Sequence, residues 1–144
     1  MSAYRTPTHE QEADRSILVI GIKGTVLGLD RATGAIRWEN GLPGGGFGDV
    51  FLAMRYGCVV ASAREAKVFC LDYLTGATRW ESPTGGIGRA TIIVEPELIL
   101  VGKGGYVDAF DHDGKRLWSQ DLPGKGVGGV ALGCWGNVAQ SDDA

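Results

Sequence analysis

The sequence predicts an all-β chain made of a repeated unit, and three observations carry that prediction. Glycine is abundant, 24 of 144 residues, while proline is only 5; that balance points to many tight turns between short strands rather than to a flexible linker. Apolar residues fall in short alternating runs, and no stretch shows a helix-length 3.6-residue period. The third observation is internal self-similarity. The segments TVLGLDRATGAIRWE (25–39), KVFCLDYLTGATRWE (67–81) and YVDAFDHDGKRLWS (106–119) align, with tryptophans at Trp38, Trp80 and Trp118, spaced 42 and 38 residues apart. A period near 40 is the length of one four-stranded propeller blade.

Taken in order, the elements read as follows. Residues 16–20 (SILVI) form a strand, and residues 26–30 alternate large and small apolar groups as a strand between two neighbours does. Asp30-Arg31-Ala32-Thr33-Gly34 is a turn, in which Asp bonds forward to the backbone and Gly34 takes positive φ; Gly76 holds the same place in the second copy, and Asp113-Gly114 makes a tighter hairpin in the third. Each turn leads into a strand carrying the tryptophan. A glycine cluster follows at 44–49, 85–89 and 124–129. Then comes a new strand at 50–54, 91–94 and 129–134, with a further strand at 58–62 and 98–102.

The Asp-x-x-Thr-Gly-x-x-x-Trp string resembles the tryptophan-docking repeat of pyrroloquinoline-quinone-type propellers, and the likeness runs from Ser16 to about Trp135. The resemblance implies that each tryptophan lies between adjacent blades, against backbone near the small residue two before the Asp. Those structural docking positions are Gly28, Cys70 and Ala109 for Trp38, Trp80 and Trp118. A buried tryptophan covers roughly 150–250 Å², so such plugs dominate blade contacts.

With strands labelled A to D from the inside outward, the chain begins at a B strand and ends on a spare A strand. It divides into a polar tail (1–15), a three-blade unit (16–136) and a C-terminal tail (137–144). Closed propellers use about four to eight blades. The expected architecture is therefore half of a six-bladed ring closed by dimerisation, with the last strand completing the partner's first blade; the alternative is a piece of a longer propeller.

True quinone enzymes of the family need a vicinal disulfide, a stacking tryptophan and a carboxylate-bound calcium. No two cysteines are adjacent here, and Asp111-His112-Asp113-Gly114 only echoes a calcium loop. The expectation is a non-catalytic scaffold that holds a protein partner, with no cofactor and no metal. The alternative is a small-molecule or glycan binder, or a degenerate quinoprotein, at the channel mouth. His9 lies in the polar tail and His112 in a surface turn, neither at ligand spacing. Cys58, Cys70 and Cys134 are read as reduced thiols filling small core slots.

The glycine clusters repeat Gly-apolar-Gly at matching offsets. They are read first as chain crossings where only glycine fits, and second as loops ringing the mouth. In the second reading Asp49 and Arg89, just after their clusters, are the candidate ligand-binding residues. The repeated Arg-Trp-Glu (37–39, 79–81) is the basis of the glycan alternative, but the third copy departs from it with Leu117-Trp118-Ser119. A net charge of −3 and a pI near 5.3 give no basic face for nucleic acid. No apolar run suits membrane insertion or a signal-peptide core, so the expected setting is cytoplasmic.

Overall fold

The structure, a computed structural model, describes residues 14–141, and these are all strand, turn and loop. The strands follow one another as antiparallel meanders. Blade 1 has three strands, β1 (Ile17–Ile22), β2 (Thr25–Asp30) and β3 (Ile36–Asn40). Blade 2 has four, β4 (Phe51–Arg55), β5 (Cys58–Ser62), β6 (Lys67–Asp72) and β7 (Thr78–Pro83). Blade 3 repeats that order with β8 (Ala90–Val94), β9 (Ile99–Lys103), β10 (Tyr106–Phe110) and β11 (Arg116–Gln120). A hairpin of β12 (Leu132–Cys134) and β13 (Asn137–Ala139) ends the described chain. No helix among the described residues is long and apolar enough to cross a membrane.

The Asp-led turn forms for local reasons. Asp30 Oδ1 accepts the N–H groups of Ala32 at 2.9 Å and Thr33 at 3.1 Å. Asp72 does the same for Leu74 and Thr75, at 2.9 and 3.0 Å. Gly34, Gly76 and Gly114 close the turns at φ of 80°, 74° and 87°, a region L-residues avoid. Burial pushes the Asp72 carboxyl up, but the Arg79 guanidinium and the two N–H groups more than offset this and hold it below its usual range.

The core sits in the seams between blades. One cluster joins Ile17, Val26, Trp38 and Leu42 of blade 1 to Val59, Phe69 and Leu71 of blade 2. The other joins Val60, Val68 and Cys70 of blade 2 to Ile92, Val101 and Phe110 of blade 3. β5 is buried along its whole length while β11 is exposed along its whole length. Burial thus rises toward the middle blade and falls at both flanks.

In the ladder register Trp38 pairs with Gly28, Trp80 with Cys70 and Trp118 with Ala109. A Cβ on Gly28 would stand 2.2 Å from the Trp38 ring, so that slot admits only glycine. Two of the three rings are covered by a following blade. Trp118 is not, and it remains 46% exposed against 8% for Trp38.

Three expectations need correction. Cys58 and Cys70 are joined by a disulfide rather than reduced, because adjacent strands β5 and β6 bring their Cα atoms to 6.1 Å, within bonding reach; Cys134 is a free thiol. His112 is 6% exposed, not a surface residue. Its Nε2 lies 2.8 Å from the Glu95 carbonyl and its ring meets Tyr56 edge-on, so the seam encloses it. The segment set apart as a C-terminal tail holds β13, since Gly136 at φ 81° turns the chain back on β12. His9 and most of the N-terminal tail lie outside the described residues.

Candidate functional site

At one end of the blades the three glycine loops stand side by side. The loops after β3 and β11 have the same backbone course. Leu42 and Leu122 take φ of 46° and 47°, Gly44 and Gly124 of 81° and 80°, and Gly46 and Gly126 of 86° and 79°. Each is pinned to the blade it leaves. Gly24 N–H donates to Gly48 O, and Gly105 N–H to Gly128 O, both at 2.8 Å. The approach is close enough that a Cβ on Gly24 would come within 2.3 Å of Gly46 O. Crowding explains that glycine. Gly48 and Gly88 have open space around them and are glycines for their φ of 93° and 97° alone.

The pinned loops lift one apolar side chain each into solvent. Phe47 is 82% exposed, Ile87 56% and Val127 89%. Beneath Phe47 a cavity of about 280 Å³ is lined by Gly48, Asp49, Phe51, Arg64, Gly88 and Arg89. A neighbouring one of about 490 Å³ lies between Ile87, Arg89, Val127 and Gly129. The structure therefore brings Asp49 and Arg89, 40 positions apart in sequence, to one cavity. It adds two features that the sequence reading passed over. Arg64 lies in the β5–β6 turn, and its carbonyl accepts the Gly88 N–H at 2.7 Å. That turn spans four residues where the matching turns of blades 1 and 3 span two, a length difference visible in the alignment. The apolar tips were present in the Gly-apolar-Gly repeat, but attention had gone to the residue after it.

The same turn receives an unusual cation from β9. Lys103 is fully buried, and its ammonium donates to Ser62 Oγ and Ala63 O at 2.6 Å and to Glu65 O at 2.5 Å. Burial pushes it down from 10.5 to about 8, opposed by the nearby Glu65 charge. Three oxygens match its three donors, so it ties blade 3 to the blade 2 turn. Asp108 is a second buried charge at that seam, accepting Gly85 N–H at 2.8 Å with Arg116 at 3.4 Å.

The tryptophans do not form a sugar platform in blades 1 and 2. The Trp38 indole N–H donates to Tyr73 O and that of Trp80 to His112 O, each at 3.0 Å. Gly76 and Gly114 lie against their rings, where a Cβ would come within 2.3 and 2.5 Å. Among the described residues no group of three His, Cys, Asp or Glu side chains could hold a metal ion.

Comparison with known proteins agrees with this architecture. A family model described as outer membrane protein assembly factor BamB matches residues 8–133. The crystal structure of BamB from Moraxella catarrhalis is similar at 27% identity and a TM-score of 0.58, over 73% of this chain and 33% of that one. The chain thus spans about a third of BamB's length. Quinohemoprotein alcohol dehydrogenase from Comamonas testosteroni shares the fold at 22% identity and a TM-score of 0.58, over 73% of this chain and 19% of that one. The computationally designed Ika8 protein shares it at 18% identity and a TM-score of 0.67, over 90% of this chain and 42% of that one. No curated protein matches the sequence. Repeated blades, docked tryptophans and a family match across most of the sequence lead to one statement: the chain belongs to the BamB-like family of pyrroloquinoline-quinone-type propeller repeats.

Proposed function

We propose that the chain is a non-catalytic propeller module that pairs with a second copy and holds a protein partner at the glycine-loop end. The observation that carries this reading is the row of exposed apolar tips, Phe47, Ile87 and Val127, on loops fixed by backbone hydrogen bonds. A soluble surface seldom raises three large apolar groups together on rigid loops unless something covers them. Asp49, Arg64 and Arg89 beside the tips add charges of both signs, which orient a partner more than they tighten it. The likeness to BamB, named an outer membrane protein assembly factor, supports a protein-holding role for this scaffold.

The test is a triple variant, Phe47→Ser, Ile87→Ser and Val127→Ser, used as bait beside the wild type in extracts of the source cell. The expected result is an unchanged melting temperature and loss of the co-purifying protein. A partner retained by the triple variant would overturn the reading.

A second reading is favoured by the cavity at Asp49, Arg64 and Arg89, which is large enough for a small anionic ligand. A thermal-shift screen separates the two, since a ligand held there raises the melting temperature by mass action. Arg64→Ala and Arg89→Ala would abolish that shift.

A further inference from the structure

We propose that Trp118, Gln120 and Leu122, on the open flank of blade 3, dock on the Asp30–Gly34 turn and Leu27 on the open flank of blade 1 in a second copy of this chain. The inference rests on the paired-module reading above and supplies the residues that would close it.

The warrant is that the chain makes this seam twice within itself and then displays both halves of a third. In the first seam Trp38 bonds Tyr73 O and lies against Gly76. Asn40 Nδ2 donates to Gly76 O at 2.8 Å and to Thr78 Oγ1 at 2.9 Å. Leu42 enters the core beside Phe69. In the second seam Trp80 bonds His112 O and lies against Gly114, and the Ser82 hydroxyl donates to Gly114 O. By position the third set is Trp118, Gln120 and Leu122.

That set already has the docking conformation. Leu122 matches Leu42 in φ. Gln120 Oε1 accepts Leu122 N–H at 3.2 Å, as Asn40 Oδ1 accepts Leu42 N–H at 2.9 Å. Each amide is therefore turned so that its NH₂ can donate across a seam.

The receiving half is equally complete. Arg31 O corresponds to Tyr73 O and His112 O. Gly34 corresponds to Gly76 and Gly114, and it has nothing within 4 Å of where a Cβ would stand. Leu27 stands where Phe69 stands, and Ile36, exposed, where Thr78 stands.

The inner strand fits the same scheme. Val130 packs on Gly102 as Val50 packs on Gly21, and the Thr91 hydroxyl holds Val130 O. The segment leading into β12 is therefore seated as an inner strand of a next blade, a strand that blade 1 does not have among the described residues. The pairing edge of β12 is held by β13 through three residue pairs. In the pair, β1 of the second copy takes that edge with its longer strand, and β13 gives way.

Chains with a single free thiol, Cys58 and Cys70 being joined to each other, test the docking. One carries Gln120→Cys and the other Ile36→Cys, both with Cys134→Ser, and they are mixed and mildly oxidised. Asn40→Cys with Thr78→Cys in one chain is the reference for cross-seam geometry. The expected product is a reducible two-chain species, formed by the mixture and by neither chain alone. Trp118→Ala, exposed in the single chain, should weaken pairing at least tenfold with no change in far-ultraviolet dichroism.

A dimer by light scattering that gives no cross-link would overturn this docking and leave the paired module standing. Monomers at micromolar concentration with no cross-link would overturn both. A chain with both cysteines that yields a ladder of longer species would support the docking and overturn two-chain closure.

Discussion

Trp80 shows how one residue joins two blades. Its ring lies against Gly114, tilts against Phe110 at 6.2 Å, and its N–H is satisfied by His112 O. Trp80→Ala should cost about 3–5 kcal/mol, the range for large aromatic residues lost from a core, read as a lower denaturant midpoint. A change under about 0.5 kcal/mol, typical of surface sites, would show that the seam does not depend on it. Lys103 is the opposite case, a charge kept in the seam by geometry. Its folded value of about 8 lies below the ordinary 10.5, so the folded protein sheds this proton first as pH rises. The unfolded state then binds more protons across that window, and stability rises with pH through it. Denaturant midpoints taken across the window check the slope, and Lys103→Met should remove it. The same variant leaves Ser62, Ala63 and Glu65 oxygens without their donor, at a cost of about 1–3 kcal/mol.

At the scale of elements, what was legible in the sequence was what is local. Asp30 and Gly34 specify a turn within five residues, and the turn places Trp38 opposite Gly28; nothing distant is needed. The strand at 58–62 was read to the residue for the same reason, being bounded by Gly57 and a polar turn. His112 was misjudged because its burial depends on Glu95 and Tyr56, 17 and 56 positions away. Lys103 left no trace in its own strand, since its acceptors lie at the end of β5 and in the β5–β6 turn of another blade. The Cys58–Cys70 bond runs diagonally across the β5–β6 ladder, in which Cys58 faces Asp72 and Val60 faces Cys70, a placement that spacing alone does not reveal. At the candidate site, the offset from the glycines singles out Asp49 and Arg89, which line one cavity. Arg64 was missed because its turn has no equivalent length in the other blades.

The described residues form a row of blades whose two core clusters each join one blade to the next. Both seams hold an apolar cluster; the first adds Leu42 against Phe69, while the second adds the buried charges Asp108 and Lys103. The open halves at Leu27 and Leu122 are both of the apolar kind. The gradient of burial from flank to centre has a consequence for amide hydrogen exchange. In a linear array the ends can open without the middle, whereas the middle cannot open without breaking both seams. In the single chain, β5, β6 and β8 should therefore exchange slowest and by global unfolding. β1, β11 and the β12–β13 hairpin should exchange orders of magnitude faster, through fraying. Mass spectrometry of deuterated peptides reads this directly, and uniform protection from β1 to β11 in a chain shown to be monomeric would contradict it. If the chain pairs as proposed above, raising the protein concentration should slow exchange at both ends together and leave the centre unchanged, since that docking covers the two flanks.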